Sequence, residues 1–334
     1  LTVAVRAHRF AIAGASSLLG EELKHMIEEG PFAAADLRLL DEDLLAGTLT
    51  EAGGEPAIIQ RVEEDSFSRA EVVLLACSPG FAVQCYPAAR AAGAVVIDLS
   101  GGLVGVENAL PWIPRLDEWL PPPHIEKGDL YLCPSGGAII CCTLAAALSS
   151  VGAKRLIVNL FRPVSESGRL GVEELESQTA QLLSFQPLAQ AIFDTQVAFT
   201  LLDRYGESSA QKLFEARRRI VEETQRHLGG RIPAPAVQLL HVPVFYGTGV
   251  SAFAEFGEDA AEGQMIESLR RAGVVCAEAG GPSPSNVSVA GESCMHLASP
   301  QRDEALRGGW WFWGVADNLR LPAANALAIA EKVL

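Results

Sequence analysis

Short, continuous apolar runs separated by polar or glycine-rich turns organise the first third of the chain. Arg9–Ala13 (RFAIA) reads as a buried strand, followed by Gly14-Ala-Ser-Ser-Leu-Leu-Gly20 and an amphipathic helix over Glu21–Glu29 that Gly30-Pro31 stops. Leu37–Leu40, Ala57–Val62, Glu71–Cys77 (EVVLLAC) and Ala94–Leu99 (AVVIDL) read as further strands, with a helix near Phe81–Ala92. Runs that are apolar throughout, rather than alternating, indicate parallel strands covered on both faces. The pattern predicts an α/β domain of the Rossmann type, a doubly wound parallel sheet.

A Pro-rich connection, Leu110–Pro123, leads to Asp129–Thr143 (DLYLCPSGGAIICCT). There a strand, Leu130–Cys133, passes through Pro134 and Gly136-Gly137 into an apolar helix. No charge occurs from Leu130 through Ala153, and about 20 apolar residues suffice to span a bilayer. The run is broken by Pro134 and the glycine pair, however, and a strand plus a buried helix accounts for it, so no membrane span is expected. Beyond it the period changes. Leu156–Phe161 reads as a strand, Val172–Leu183 and Ser208–Leu228 as helices, Val237–Phe256 as two strands bent at Gly247–Gly249, and Glu258–Ala272 as a helix. Strands at Val274–Ala277, Ser293–Ala298 and Trp310–Val315 complete a mixed α+β domain whose exposed sheet face suits a homodimer. The last helix, Asn318–Val333, has the apolar spacing to pack back on the first domain. The expected domains are residues 1–133, completed by 316–334, and residues 134–315.

Composition narrows the function. The 334 residues carry a formal net charge of -15, which argues against nucleic acid and against an acidic membrane surface. Seven cysteines without a C-x-x-C pair read as reduced, buried thiols, with no disulfide framework and no metal site, in the cytoplasm. The stretch LTVAVRAHRF shows no signal-peptide pattern, so no export is expected.

Two stretches carry candidate chemistry. In the first, Gly14, Ser16, Ser17, Leu18 and Gly20 form a glycine turn at a helix head. Such a turn lets a pyrophosphate approach the backbone, although Ser17 holds the middle glycine position and similar turns close ordinary βα units. Asp41 lies about 20 residues further on, where an acid binds the ribose of NAD and repels the 2′-phosphate of NADP; the other reading is a solvated acidic turn. The second stretch is the strand-turn-helix at 130–143. A helix head lowers a thiol pKa and stabilises an oxyanion, but the turn offers Ser135, Gly136 and Gly137 and no cysteine. Cys133, Cys141 and Cys142 read as structural thiols, and Ser135 has no evident base. The run Arg217-Arg218-Arg219 with His241 reads either as a site for a small anion or as a solvated basic face.

The order of elements and several segments resemble the aspartate-semialdehyde dehydrogenase family. The resemblance rests on Phe10–Gly20, Gly93–Asp98 followed by Ser100, Leu130–Thr143, Val164-Ser165 with Gly168 and Glu173–Gln178, Val242-Pro243-Val244, and most specifically Val315–Arg320 with Ala323-Ala-Asn325. It implies a homodimer of Rossmann domains joined through the α+β domain, and NADP-dependent, phosphorylating oxidation of an aldehyde through a thioester in amino-acid biosynthesis. It also implies where the chemistry should sit. The nucleophilic Cys position is Gly136, the general-base His is Thr248, the orienting Gln is Arg162 and the carboxylate-binding Arg is His241. The phosphate Arg position is Val104, and the acid and Lys of the long helix fall near Arg217 and Arg219. The pair that holds the 2′-phosphate appears as Leu44-Leu45, followed by Ala46-Gly47. Neither Gly nor Thr supplies a thiolate or an imidazole, so the chain resembles the non-catalytic Usg-type paralogues, with a binding or regulatory role. The alternative is a working NAD(P)-dependent aspartate-semialdehyde dehydrogenase. The cofactor residues expected are Gly14, Ser16, Ser17, Leu18, Gly20, Asp41 and Asn318, with NAD favoured over NADP.

Overall fold

The computed structural model describes residues 7–42, 47–52, 54–126, 128–257 and 260–334. The chain divides into two compact units, one of Leu1–Pro114, Pro121–Pro134 and Pro322–Leu334, the other of Arg115–Leu120 and Ser135–Leu321. The expectations placed on Asp43, Leu44, Leu45 and Ala46, and the start of the helix expected from Glu258, lie outside the described residues.

In the first unit seven parallel strands stand in the order Gln60–Arg61, Asp36–Asp41, Arg9–Ala13, Val72–Leu75, Val95–Asp98, Leu130–Leu132 and Leu110–Pro111. Successive side chains of a strand point to opposite faces, and both faces are covered. Phe10 and Ile12 join Leu23 and Ile27 of the helix Leu18–Glu29 and Ala326 and Ile329 of the helix Arg320–Val333. Ala11 and Ala13 share the opposite cluster with Ala82, Cys85 and Ala89 of the helix Pro79–Ala91. The strand expected over Ala57–Val62 is split: Glu55–Ile58 turns back on Leu49–Ala52 as an antiparallel hairpin, and only Gln60–Arg61 joins the main sheet. Gly54, at φ 79°, sits in the turn of that hairpin, and the Ile59 N–H donates to Thr48 O.

The second unit is built on a mixed sheet in the order Ala236–His241, Arg155–Arg162, Thr248–Glu255, Gly309–Ala316, His296–Leu297 and Val275–Cys276. Its central helix, Gly136–Ser150, is buried from Gly136 to Leu148, which explains the long uncharged run. Among the described residues no helix is long and apolar enough to cross a membrane. The helices Gly168–Leu183, Leu213–Leu228 and Glu262–Arg271 complete the unit. The long helix starts at Leu213 rather than Ser208, because the Ser208 N–H donates to Asp194 Oδ2 and the Ser209 hydroxyl to Ile192 O. Those bonds hold the chain against the preceding loop instead of letting it coil. Along Gly309–Ala316, Trp310 and Phe312 are buried while Trp311 and Trp313 are exposed.

Candidate functional site

In the first unit the glycine turn is shaped by contacts that leave no room for side chains. Gly14 has φ 88°, and a Cβ there would sit 2.6 Å from Ala76 O; a Cβ on Gly20 would run into the Gly14 carbonyl. Ser17 caps the helix Leu18–Glu29: its Oγ accepts from the Gly20 N–H at 2.9 Å and donates to Ala76 O at 2.8 Å. The Leu18 and Leu19 N–H groups then stand at the helix head without an intrahelical acceptor. Ser16 donates both its N–H (2.8 Å) and its hydroxyl (2.6 Å) to Asp41 Oδ2, and the Glu42 N–H donates to Asp41 Oδ1. Asp41 is buried at 3% exposure, so it is not a solvated turn residue. Gly14, Ser16, Ser17, Leu18, Gly20 and Asp41 thus form one cluster. Nearby, the Ser78 hydroxyl donates to Glu42 Oε1 at the edge of a cleft of about 670 Å³ that also takes in Arg61, Glu63 and Glu64. The backbone of this turn fits a dinucleotide pyrophosphate. The charged lining of the cleft is three acids, Glu42, Glu63 and Glu64, and one arginine, Arg61. Burial pushes the thiol of Cys77, just past the strand Val72–Leu75, far above its ordinary value.

At the head of the second unit's central helix, Ser135 makes no side-chain cap. Its N–H (2.9 Å) and its hydroxyl (2.5 Å) both donate to Glu223 Oε2, while Arg219 Nε donates to Glu223 Oε1 at 2.7 Å. An ion pair with a buried carboxylate and an exposed guanidinium therefore occupies the helix head, where a thiolate would gain from the dipole. Gly136 and Gly137 are buried, and a Cβ on Gly137 would meet Ile220 Cδ1 at 2.9 Å. The thiols supply no substitute. Burial raises Cys141 to about 12 and Cys142 well above the ordinary thiol value, and Cys133, in the first unit, is buried with Sγ donating to Pro322 O. Sequence reasoning missed Glu223, 88 positions from Ser135. The available signal was helical phase: Ile220, Glu223, Thr224 and His227 lie on one face and are all buried.

The ends of three neighbouring strands, Arg155–Arg162, Ala236–His241 and Thr248–Glu255, bring Arg162, His241 and Thr248 together. Arg162 and His241 are register partners on adjacent parallel strands. Arg162 is 5% exposed; its Nη2 donates to Glu166 O at 2.9 Å, its Nε lies 3.9 Å from Glu166 Oε2, and neither Nε nor Nη1 makes a hydrogen bond. The Thr248 hydroxyl reaches Glu166 Oε1 at 3.4 Å. His241 is fully buried, with Nε2 3.5 Å from Val197 O and Nδ1 3.3 Å from the Tyr205 hydroxyl. Since a carbonyl only accepts, Nε2 carries the proton and Nδ1 accepts from Tyr205. Burial lowers its pKa to about 4, with the Val197 carbonyl opposing and the Arg162 charge assisting. The imidazole is neutral and occupied, while Arg162, ion-paired with Glu166, keeps two buried nitrogens without hydrogen bonds. The arginine run on the long helix does not form one basic site: Arg217 donates to Gln238, Arg218 pairs with Glu222 and Arg219 with Glu223. Asn318 belongs to the second unit, where its Oδ1 accepts from the Gly247 N–H and its Nδ2 donates to Ser165 Oγ. Val104 is exposed in the first unit.

Residues 9–116 match the family described as "Semialdehyde dehydrogenase, NAD binding domain", and residues 144–321 that described as "Semialdehyde dehydrogenase, dimerisation domain". The chain is 29% identical over 332 residues to a protein of Azotobacter vinelandii named "USG-1 protein homolog", with 97% of each covered. It is 27% identical over 327 residues to "Aspartate-semialdehyde dehydrogenase 2" of Vibrio cholerae, with 96% of each covered. A solved structure, of a probable aspartate-semialdehyde dehydrogenase from Pseudomonas aeruginosa, superposes with a TM-score of 0.87 at 28% identity over 98% of both chains.

Proposed function

The chain belongs to the semialdehyde dehydrogenase family, and from that premise we propose that it is a catalytically silent member that acts by binding a small anion at Arg162. The observation that carries this reading is the buried guanidinium with two nitrogens free of hydrogen bonds. Thioester chemistry needs a thiolate and a proton shuttle, and the corresponding positions hold Gly136 and Thr248, with Ser135 bound to Glu223. The cation that the resemblance places at 241 stands instead at its register partner, Arg162, beside a neutral His241. A carboxylate ligand therefore still meets one guanidinium, without a nucleophile to attack it. The role is that of a sensor or regulatory partner, as a homodimer formed through the second unit's sheet, in the reducing cytoplasm that seven free thiols fit.

A second reading rests on the first unit. Gly14, the helix head and Asp41 support a retained nucleotide site, NAD rather than NADP, and with it the alternative of an NAD-linked dehydrogenase. When bound, that cofactor would supply hydride transfer; Gly14 would admit its pyrophosphate, and Asp41, bonded to Ser16, would hold the turn that receives it.

Thermal unfolding with inorganic phosphate and short dicarboxylates tests the proposal. An anion at about 100 times its Kd adds about 2.7 kcal/mol to the wild type, and Arg162→Met abolishes that gain. Equal responses in both proteins would refute the anion site. Phosphate-dependent aldehyde oxidation that disappears on a single substitution in this chain would refute the silent reading.

A further inference from the structure

Among the described residues, Glu292, Cys294 and His296 form the one grouping of three His, Cys, Asp or Glu side chains whose donor atoms converge, all within 4.8 Å of one another. His296 Nε2 lies 3.8 Å from Cys294 Sγ and 3.8 Å from Glu292 Oε2. A tetrahedral zinc ion, with Zn–S of about 2.3 Å and Zn–N and Zn–O of about 2.0–2.2 Å, sets its ligand atoms roughly 3.4–3.6 Å apart. The two pairs that include His296 need to draw in by a few tenths of an ångström, and Glu292 with Cys294 closes from at most 4.8 Å.

The sequence places them. In Glu292-Ser-Cys-Met-His296 the donors occupy alternate positions, while Met295 and Leu297 are buried in the core at 3% and 1% exposure. The strand His296–Leu297 is held between Val275–Cys276 and Gly309–Ala316. The Gly291 N–H donates to Asp317 Oδ2 and the Val275 N–H to Met295 O, so the segment is pinned at both ends. Only His296 stands on that strand; Glu292 and Cys294 lie in the bent segment that leads into it. His296 is largely shielded and Glu292 half open to solvent.

We propose that Glu292, Cys294 and His296 form a three-ligand site for a divalent cation of the Zn²⁺ class, with a fourth position open to water or an added ligand. The mixed sulfur, nitrogen and oxygen set suits zinc and not the hard cations Mg²⁺ or Ca²⁺. On binding, the Cys294 thiol releases its proton to solvent as the S–metal bond forms, and thiolate plus carboxylate neutralise the ion.

The experiment is a Co²⁺ titration of the purified, chelator-treated full chain, followed by displacement with Zn²⁺. The expected result is one equivalent per chain with a thiolate-to-cobalt charge-transfer band and the visible bands of tetrahedral cobalt. Cys294→Ser abolishes the charge-transfer band, and His296→Gln weakens binding by about 100-fold or more, beyond the roughly 10–100-fold loss for an outer partner. Thermal melts of the metal-free variants confirm that they fold. Absence of the band in the wild type, its survival in Cys294→Ser, or cobalt binding indifferent to His296→Gln and Glu292→Gln would each overturn the proposal.

Discussion

The heads of the helices Leu18–Glu29 and Gly136–Ser150 use the same local device in two settings. At each, one serine, Ser16 or Ser135, donates both its N–H and its hydroxyl to a single carboxylate oxygen, of Asp41 or Glu223. The surroundings differ. At the first head the Asp41 carboxylate takes only neutral donors, from Ser16 and the Glu42 N–H, and the conformation is enforced by Gly14 and Gly20, which backbone atoms crowd. In the second unit the carboxylate takes an arginine, and Arg162, at the end of a sheet strand, keeps two nitrogens without hydrogen bonds. Packing alone is enough to preserve the glycine turn, so its survival says little about a cofactor. No packing requirement explains a buried guanidinium that, beyond its pairing with Glu166, keeps two nitrogens without hydrogen bonds. The less family-like of the two regions is the better witness to function.

The sharpest test of the first half of that comparison is Gly20→Ala. Its new methyl group meets the Gly14 carbonyl, a backbone atom that cannot step aside, so the substitution removes about 3 kcal/mol or more. Urea unfolding measures it, with no nucleotide present. A loss below about 0.5 kcal/mol would break the comparison, because the turn would then owe its form to something other than packing.

The next effect belongs to the second region and is read through pH. His241 titrates near 4 in the folded protein against an ordinary 6.5. Between those values the unfolded chain binds a proton that the folded chain refuses, so unfolding is favoured as pH falls. The contribution is whole above pH 6.5, shrinks as pH drops, and is spent near pH 4, in all about 3 kcal/mol. His241→Gln removes that slope. Its stability should fall by about 2 kcal/mol less than that of the wild type between pH 6.5 and 5, as urea titrations at stepped pH will show. Parallel slopes would mean that the imidazole is accessible and charged, and not the neutral neighbour that leaves Arg162 as the lone cation.

Much of this was legible beforehand. The strand Arg9–Ala13 and the parallel sheet follow from runs that are apolar on both faces, and burial of the helix from Gly136 follows from its lack of charge. What could not be read was set by contacts distant in sequence. Asp41 looks like any acid in an Asp-Glu-Asp turn until Ser16 is seen bonded to it, and Glu223 is hidden among arginines whose charges suggest solvent. The arginine run read as one patch because composition carries no partners; in the fold each arginine has its own. Arg162 appears in the sequence only as a departure from the family residue, and its missing acceptors are visible only where neighbouring strands end together.

The smallest effect on stability discriminates best between the two accounts of the glycine turn. Ser17→Gly keeps an acceptable N-cap residue, at a few tenths of a kcal/mol, and gives up the hydroxyl bond to Ala76 O, worth about 1 kcal/mol. The fold should therefore survive with a melting temperature lowered by a few degrees. The same change restores glycine at the middle position of the turn, where a missing side chain lets backbone N–H groups reach a pyrophosphate. If the head of Leu18–Glu29 faces a nucleotide, fluorescence titration should show tighter NAD(H) binding in Ser17→Gly than in the wild type, with NADP(H) still rejected by the acids at Asp41 and Glu42. If neither protein binds either nucleotide, the turn is a packing device, the alternative reading as an oxidoreductase falls with it, and ligand recognition rests on the second unit.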